Sequence, residues 1–206
     1  MRLLRCGSDA VLVEVDSLAE VDGVLAALST AAEQGELPDL VELVPAARTV
    51  LAAVAPGSPG LTRVREILAT ADLRHGTTRH PRTVRIPVHY DGPDLDLVAD
   101  TAGRSVEEVV ALHAGAEYSV AFCGFAPGFG YLVGLPEPLR QPRLDQPRTR
   151  VPAGSVGVAG EFTAAYPRSS PGGWRLLGHT ELTLFDAHRE PAALLAPGDH
   201  VRFEVV

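Results

Sequence analysis

Apolar and polar positions follow two different periodicities along the first 75 residues. Residues 9–15 alternate as in a β-strand, whereas residues 17–34 place apolar side chains at spacings of three and four, as in an amphipathic helix. Ser17 precedes that helix as N-cap, Glu20 takes the capping-box position, and Gly35 follows the last turn. Two more apolar runs and a second helical stretch follow, at Leu40–Val44, Thr49–Val54 and residues 61–71. This pattern predicts a small α+β unit.

From residue 81 the apolar runs become shorter, and turns rich in glycine and proline separate them. We predict β-strands in TVRIPVHY, YSVAFC, SVGVAG, ELTLF and VRFEVV. One helix intervenes, in SVEEVVALHAGAE, with Ser105 as N-cap and Glu108 three residues later. Many short strands with dense turns are typical of a barrel or a sandwich. The prediction is therefore an α+β protein of two domains, residues 1–78 and 81–206, joined by the polar connector HGTTRH.

The charge of the chain excludes several functions. Its 206 residues carry 26 acidic and 18 basic side chains, a formal net charge of −8. Nucleic acids and anionic membranes are bound through concentrated positive charge, so neither is an expected partner. All 18 basic residues are Arg, and the sequence contains no Lys. This chain therefore cannot carry a P-loop lysine, a PLP Schiff base or a biotin attachment site by itself.

The two cysteines, Cys6 and Cys123, are far apart and form no CxxC pair. We predict free, buried thiols in a reducing compartment, rather than a disulfide or a nucleophile. No run of apolar residues has the length of a signal peptide or of a membrane span, so the predicted location is cytoplasmic.

Residues 122–174 form the most unusual segment of the sequence. Glycine and proline alternate there with aromatic residues, in FCGFAPGFGYLVGL, VPAGSVGVAG and YPRSSPGGW. Glycine lets the backbone approach a ligand closely, and proline stiffens it, so we predict rigid loops around a cavity for a small molecule. The alternative is that these residues shape tight barrel corners. The predicted lining residues are Phe125, Pro127, Phe129, Pro152, Gly154, Tyr166, Gly172, Gly173 and Trp174.

Four polar residues near these loops are candidates for catalysis. Arg148 and Arg150 lie on a backbone stiffened by proline, where a guanidinium can bind a carboxylate or phosphate, although surface salt bridges are the common role of Arg. Ser155 belongs to an AGS turn whose backbone N–H groups could face an anion, and its hydroxyl could donate a hydrogen bond, but no base partner can be assigned to it. His179 could face the cavity, or it could instead have a structural role in a turn.

The other histidines show no metal-binding motif. No HxH or HExxH motif occurs, and His113 lies on the apolar side of its helix, where a hydrogen-bonded core histidine is the favoured interpretation. Asp91 and Asp94 are typical of a turn and a helix start. Two carboxylates there could also bind a cation, although their spacing does not match an EF-hand loop.

The motifs PVHYDGPDLDLVA, LHAGAEYSVAFCGFAPGFGYLVGL, PRTRVPAGSVGVAG, YPRSSPGGW and PGDHVRFEVV together resemble the allophanate hydrolase subunit 1 family. The resemblance is dense over residues 86–206. It implies a cyclophilin-like β-barrel preceded by a small α+β (KipI-like) domain. It also implies a homologous second subunit, of the type of the 5-oxoprolinase C subunit or KipA, and a third, of the type of the 5-oxoprolinase A subunit.

The resemblance implies a subunit of an ATP-dependent 5-oxoprolinase, which hydrolyses 5-oxoproline to glutamate. ATP is then a co-substrate of the complex, whose binding subunit the sequence does not identify. Two alternatives stay open: a KipI-like inhibitor of a sensor histidine kinase, and a carboxyltransferase subunit of the allophanate or urea-carboxylase type. The sequence departs from the family at Glu161-Phe162-Thr163, where a Gln-Thr pair is common. That difference bears on the substrate rather than on the fold.

Overall fold

The computed structural model describes residues 1–73 and 82–206. The chain divides into two units, Met1–His80 and Pro81–Val206. The connector HGTTRH lies outside the described residues, and the predicted domain limits at 78 and 81 therefore stay a prediction. No helix in the described ranges is long and apolar enough to span a bilayer.

The first unit is a four-stranded antiparallel sheet with two helices. Its elements are β1 (Arg2–Cys6), β2 (Ala10–Glu14), α1 (Leu18–Glu33), β3 (Leu40–Pro45), β4 (Thr49–Val54) and α2 (Gly60–Thr70). The strands lie in the order β1-β2-β4-β3. Alternate residues of β2 and β4 are buried in one core with both helices, which confirms the predicted strands and helices of this unit. The sequence does not predict strand β1, because it is an exposed edge strand without alternation.

The start and end of α1 agree with the sequence signals. The Ser17 hydroxyl accepts a hydrogen bond from the Glu20 N–H at 3.3 Å, and Gly35 adopts a φ of +75° just after the helix. The Glu20 carboxylate accepts from the N–H of Asp16 at 3.1 Å, one residue before the predicted partner. The predicted N-cap is thus confirmed.

The second unit contains a barrel-like sheet with two helices packed against it. Its elements are β5 (Thr83–Val88), α3 (Leu95–Ala102), α4 (Val106–Gly115), β6 (Tyr118–Cys123), β7 (Gly130–Val133), a 3-10 turn (Glu137–Leu139), β8 (Arg148–Val151), β9 (Ser155–Ala159), β10 (Phe162–Ala165), β11 (Ser170–Gly172), β12 (Arg175–His179) and β13 (His200–Val205).

Seven of these strands form one sheet in the order β12-β9-β10-β7-β6-β13-β5. Only β13 and β5 pair in parallel, and the other described pairs are antiparallel. The two edges meet after β5, where His89 and His179 exchange two backbone hydrogen bonds of 2.9 Å. The sheet is therefore nearly closed, which confirms the predicted α+β class with a barrel-like domain. Strands β8 and β11 form a separate two-stranded sheet.

The barrel interior contains one buried polar network. His113 of α4 is fully buried, with Nδ1 2.8 Å from the Tyr90 hydroxyl and Nε2 2.9 Å from the Thr163 hydroxyl. Its ring stacks on Phe203 with centroids 4.5 Å apart. The predicted core histidine is confirmed. The capping box of α4, formed by Ser105 and Glu108, is also confirmed.

Two expectations are wrong. ELTLF is not a strand: residues 181–183 are exposed, and Phe185 forms only an isolated bridge with Ala193. The strand in this region is β12, whose last residue, His179, pairs with Ser155, the first residue of β9. Because β9 does not extend further, the residues after His179 have no strand to pair with. The second wrong expectation concerns Cys6, whose thiol is free but exposed because it lies on edge strand β1.

Candidate functional site

Several predicted residues gather at one end of the barrel. Strands β6, β10 and β12 end there, and their antiparallel neighbours β7 and β9 begin there. The Phe125 ring lies near Tyr166 after β10, and Tyr166 is hydrogen-bonded through its backbone to Gly154 and Ser155. His179, at the end of β12, pairs with Ser155 at the same end of the barrel. We call this the loop end of the barrel.

The loop between β6 and β7 presents one exposed aromatic ring. Phe125 is 58% exposed and has a φ of +65°, and no other non-glycine residue in the described ranges has a positive φ. Its ring centroid lies 5.2 Å from that of Phe129 and 6.2 Å from that of Tyr166. A bulky side chain is rarely held in this conformation, and such strain is concentrated at functional sites. Pro127, in the same loop, is exposed.

The other predicted rings are buried. Phe129, Tyr166 and Trp174 retain at most 4% exposure and pack edge to face, with Phe129 5.3 Å from Tyr166 and 5.5 Å from Trp174. They form a second apolar cluster outside the barrel interior, which includes Val151 of β8. Burial raises the pKa of Tyr166 to about 12, so its hydroxyl stays protonated. Phe125 packs against two of these buried rings, those of Phe129 and Tyr166. The contact of the buried rings with a ligand stays a prediction.

The glycines of this region allow close packing around Tyr166 and β12. A Cβ on Gly172 would lie 2.6 Å from the Tyr166 hydroxyl, and one on Gly154 would lie 2.2 Å from the carbonyl oxygen of Thr180. Gly154 also has a φ of +81°. Gly173 is buried, with Pro147 beside it at ordinary contact distance.

The turn before β9 uses two of its N–H groups within the protein. The N–H of Gly154 donates to the Tyr166 carbonyl at 2.7 Å, and that of Ser155 points to the Pro152 carbonyl at 3.4 Å. These two N–H groups therefore do not face an anion, whereas an anion contact of the remaining N–H of the turn, that of Ala153, stays a prediction. Pro152 is exposed, while Ser155 retains only 5% exposure.

Arg148 and Arg150 lie in different surroundings. Arg148 Nη2 donates to Asp94 Oδ1 at 2.7 Å, and the other oxygen of this buried carboxylate accepts from the N–H of Leu176 at 2.7 Å. Arg148 Nη1 is buried and has no hydrogen-bond partner in the described part of the chain. Arg150 is exposed, and its Nε donates to Ser169 Oγ at 3.2 Å. Arg148 therefore fastens β8 to the turn before α3, and its contact with a substrate stays a prediction.

His179 belongs to a cluster that the sequence does not predict. Its Nδ1 lies 2.8 Å from Asp91 Oδ1, and its ring stacks on His89 with centroids 5.0 Å apart. The side chain of His179 is 43% exposed and that of Asp91 63%. His89 and Asp91 give no sequence signal for this role, because their proximity to His179 depends on the closure of the barrel. No group of three or more metal-ligating side chains is found in residues 1–73 and 82–206.

The family model for the carboxyltransferase domain, subdomain C and D, matches residues 1–195 of the chain. The chain belongs to this family. One curated relative is the B subunit of 5-oxoprolinase from Escherichia coli O157:H7, to which the chain is 40% identical over 210 residues. The match covers 98% of this chain and 96% of the relative. The resemblance drawn from the sequence motifs is thus confirmed at the level of the family and of its named relatives.

Solved structures of similar proteins give the same fold. The crystal structure of TTHA0988 matches with a TM-score of 0.83 and 38% identity over 96% of this chain. This chain spans about 40% of the length of that chain. The urea amidolyase of K. lactis matches with a TM-score of 0.73 at 20% identity, over 99% of this chain and 15% of that one. At this identity the second match establishes the fold alone.

Proposed function

We propose that this chain is one subunit of an ATP-dependent 5-oxoprolinase. The complex converts 5-oxo-L-proline, ATP and water to L-glutamate, ADP and phosphate, and the chain acts with a homologous second subunit. The observation that carries the proposal is the 40% identity to the B subunit of 5-oxoprolinase over nearly the full length of both chains. The name of that relative implies further subunits, which in this proposal are of the types of the 5-oxoprolinase C and A subunits.

The loop end of the barrel is the part of this chain that we assign to the substrate. A five-membered lactam is a small, stable amide, and its opening requires an activated carbonyl and a base for the attacking water. The loop between β6 and β7 presents the exposed ring of Phe125 against the buried rings of Phe129 and Tyr166. At the same end of the barrel, the polar side chains of Ser155 and His179 lie on the paired strands β9 and β12. An exposed ring on a rigid support matches the apolar edge of such a lactam.

ATP enters the proposal as a co-substrate of the complex. The chain has no Lys for a P-loop, and its Arg148 is bound to Asp94. No residue of this chain is therefore assigned to ATP, and no step is assigned to biotin or PLP.

The test is the reaction of the reconstituted complex. The chain is purified together with its second and third subunits, and glutamate and ADP are measured from 5-oxoproline with and without ATP. We expect glutamate and ADP to form in equal amounts, only with ATP and only when this chain is present. A complex that assembles and forms no glutamate would contradict the proposed function.

A further inference from the structure

Three neighbouring side chains form a row across the closure of the barrel, on its outer face. Ser155 of β9 pairs with His179 of β12, and His179 pairs with His89 after β5. Val156 and Val88 belong to the barrel interior cluster, so the adjacent residues Ser155 and His89 point away from it. The stacking of the His89 and His179 rings places His179 on the same outer face. We call Ser155, His179 and His89 the outer row.

The backbone holds His179 rigidly within this row. Two hydrogen bonds of 2.9 Å join its backbone to that of His89, and the next residue, Thr180, donates to the Gly154 carbonyl at 2.9 Å. The ring is held separately, by the stack on His89 and by the bond to Asp91. A side chain fixed by its strand, by a neighbouring ring and by a carboxylate keeps one orientation, as a group that transfers protons must.

The hydrogen bond to Asp91 also selects the tautomer of His179. A carboxylate only accepts, so Nδ1 carries the proton and the lone pair is on Nε2. No hydrogen bond to Nε2 is found among residues 1–73 and 82–206, and the side chain is 43% exposed. The ring can therefore accept a proton from a molecule bound at the loop end.

No other described histidine combines these features. His113 is fully buried and uses both ring nitrogens within the barrel. His188 and His200 are exposed, and neither forms an ion pair in the described ranges. An exposed His–Asp pair contributes little to stability, so its rigid placement at the loop end is not explained by folding.

From this geometry we infer that His179 is the general base for lactam opening, with Asp91 as its positioning residue; this inference rests on the function proposed above. The oxygen of a water forms a bond to the lactam carbonyl carbon, whose oxygen carries the phosphoryl group from ATP, while the water proton passes to Nε2. As the C–N bond breaks, its electron pair stays on the nitrogen, which takes that proton. The hydroxyl left on that carbon gives its proton to the new amine and becomes a carbonyl, so that an acyl phosphate remains. A second water then attacks phosphorus, the P–O bond to the acyl oxygen breaks, and phosphate and the glutamate carboxylate are released.

The first experiment compares three complexes: wild type, His179→Gln and the control His200→Gln. Glutamine keeps a polar group near Asp91 but cannot accept the proton. We expect kcat of His179→Gln to fall by roughly 10²–10⁴-fold, the usual contribution of a general base, with KM and the assembly of the complex unchanged. His200→Gln should match the wild type, and Asp91→Asn should show a smaller loss than His179→Gln.

The second experiment separates catalysis from structure. His179→Ala leaves space for added imidazole, and we expect imidazole to restore turnover to this variant while leaving the wild type unaffected. A kcat of His179→Gln equal to wild type, or a loss in His179→Ala that imidazole does not restore, would overturn the assignment of His179. If the wild-type complex itself forms no glutamate, the proposed function fails instead, so the two failures are distinguishable.

Discussion

The ion pair between Arg148 and Asp94 provides the sharpest test of how the second unit is held together. Asp94 retains 5% exposure and accepts two hydrogen bonds of 2.7 Å, from Arg148 Nη2 and from the N–H of Leu176. The pair joins β8, the turn before α3 and β12. Loss of one partner leaves the other charge uncompensated in a buried position, which costs about 3–5 kcal/mol for a fully buried pair. The Arg148 side chain keeps 28% exposure, so we expect about 2–3 kcal/mol for Arg148→Met.

The assay is urea unfolding followed by the fluorescence of Trp174, the single tryptophan of the chain. Trp174 belongs to the same apolar cluster as Val151 of β8, so it reports on the unfolding of the second unit. The two substitutions Arg148→Met and Asp94→Asn are measured singly and together. Because the amide oxygen introduced by Asp94→Asn can still accept from the N–H of Leu176, the double-mutant cycle isolates the charge pair, and we expect a coupling of about 1–3 kcal/mol.

The matched control is Arg150→Met, which removes an exposed guanidinium two residues away and should change the free energy of unfolding by at most about 0.5 kcal/mol. A coupling below about 0.5 kcal/mol would refute the reasoning that Arg148 stabilises the unit through Asp94. Arg148 would then be free for the ligand role that its sequence position predicts.

Three further predictions concern single residues. Gly154→Ala should destabilise the second unit by at least about 2 kcal/mol in urea unfolding, because the φ of +81° is strained and the added Cβ would meet the Thr180 carbonyl at 2.2 Å. Burial lowers the pKa of His113 to about 3, so between about pH 6.5 and 3 the unfolded chain binds a proton that the folded chain does not. Stability should therefore fall by about 1.4 kcal/mol per unit as pH falls through that window, and His113→Gln should remove this part of the slope in urea unfolding at a series of pH values. Phe125→Gly should change stability by less than about 1 kcal/mol, because relief of the positive φ offsets the lost ring contacts, and should raise the KM of the complex for 5-oxoproline by about tenfold or more.

Each of these predictions has a control or an opposing result. Gly160 has a φ of +56°, but an added Cβ there meets open space, so Gly160→Ala should lower the free energy of unfolding by only about 1 kcal/mol. If Gly154→Ala lowers the free energy of unfolding by no more than Gly160→Ala, the contact with the Thr180 carbonyl is unimportant. If the free energy of unfolding of His113→Gln depends on pH as that of the wild type does, groups other than His113 cause the pH dependence. An unchanged KM in Phe125→Gly would remove Phe125 from the binding site.

The sequence predicts most elements of the fold because local signals and burial agree there. The alternation in β2 and β4, the cap at Ser17 and the capping box at Ser105 each reflect forces within a few residues of the chain. The exposed edge strand β1 lacks such a signal. The short strands β7, β8, β10, β11 and β12 also escape prediction. Strand β12, for example, is set by pairing with β9 rather than by its own pattern.

The site is predicted only in part, for the same reason. Glycine and proline identify the loops around Phe125 and Gly154, but local sequence does not indicate which groups fill the space between them. The partners of His179 and Arg148, namely Asp91 and Asp94, come from a turn 54 or more residues away along the chain. Asp91 and Asp94 approach β12 because His89, just after β5, forms a backbone bridge with His179, and no local sequence pattern encodes this pairing.

The most direct test of the proposed function is glutamate formation by the assembled complex with and without this chain. We predict that 5-oxoproline, ATP and the complete complex yield glutamate and ADP in equal amounts, and that the other subunits alone yield neither above background. Equal turnover by the other subunits without this chain, or no turnover by the complete and correctly assembled complex, would contradict its role as a 5-oxoprolinase subunit.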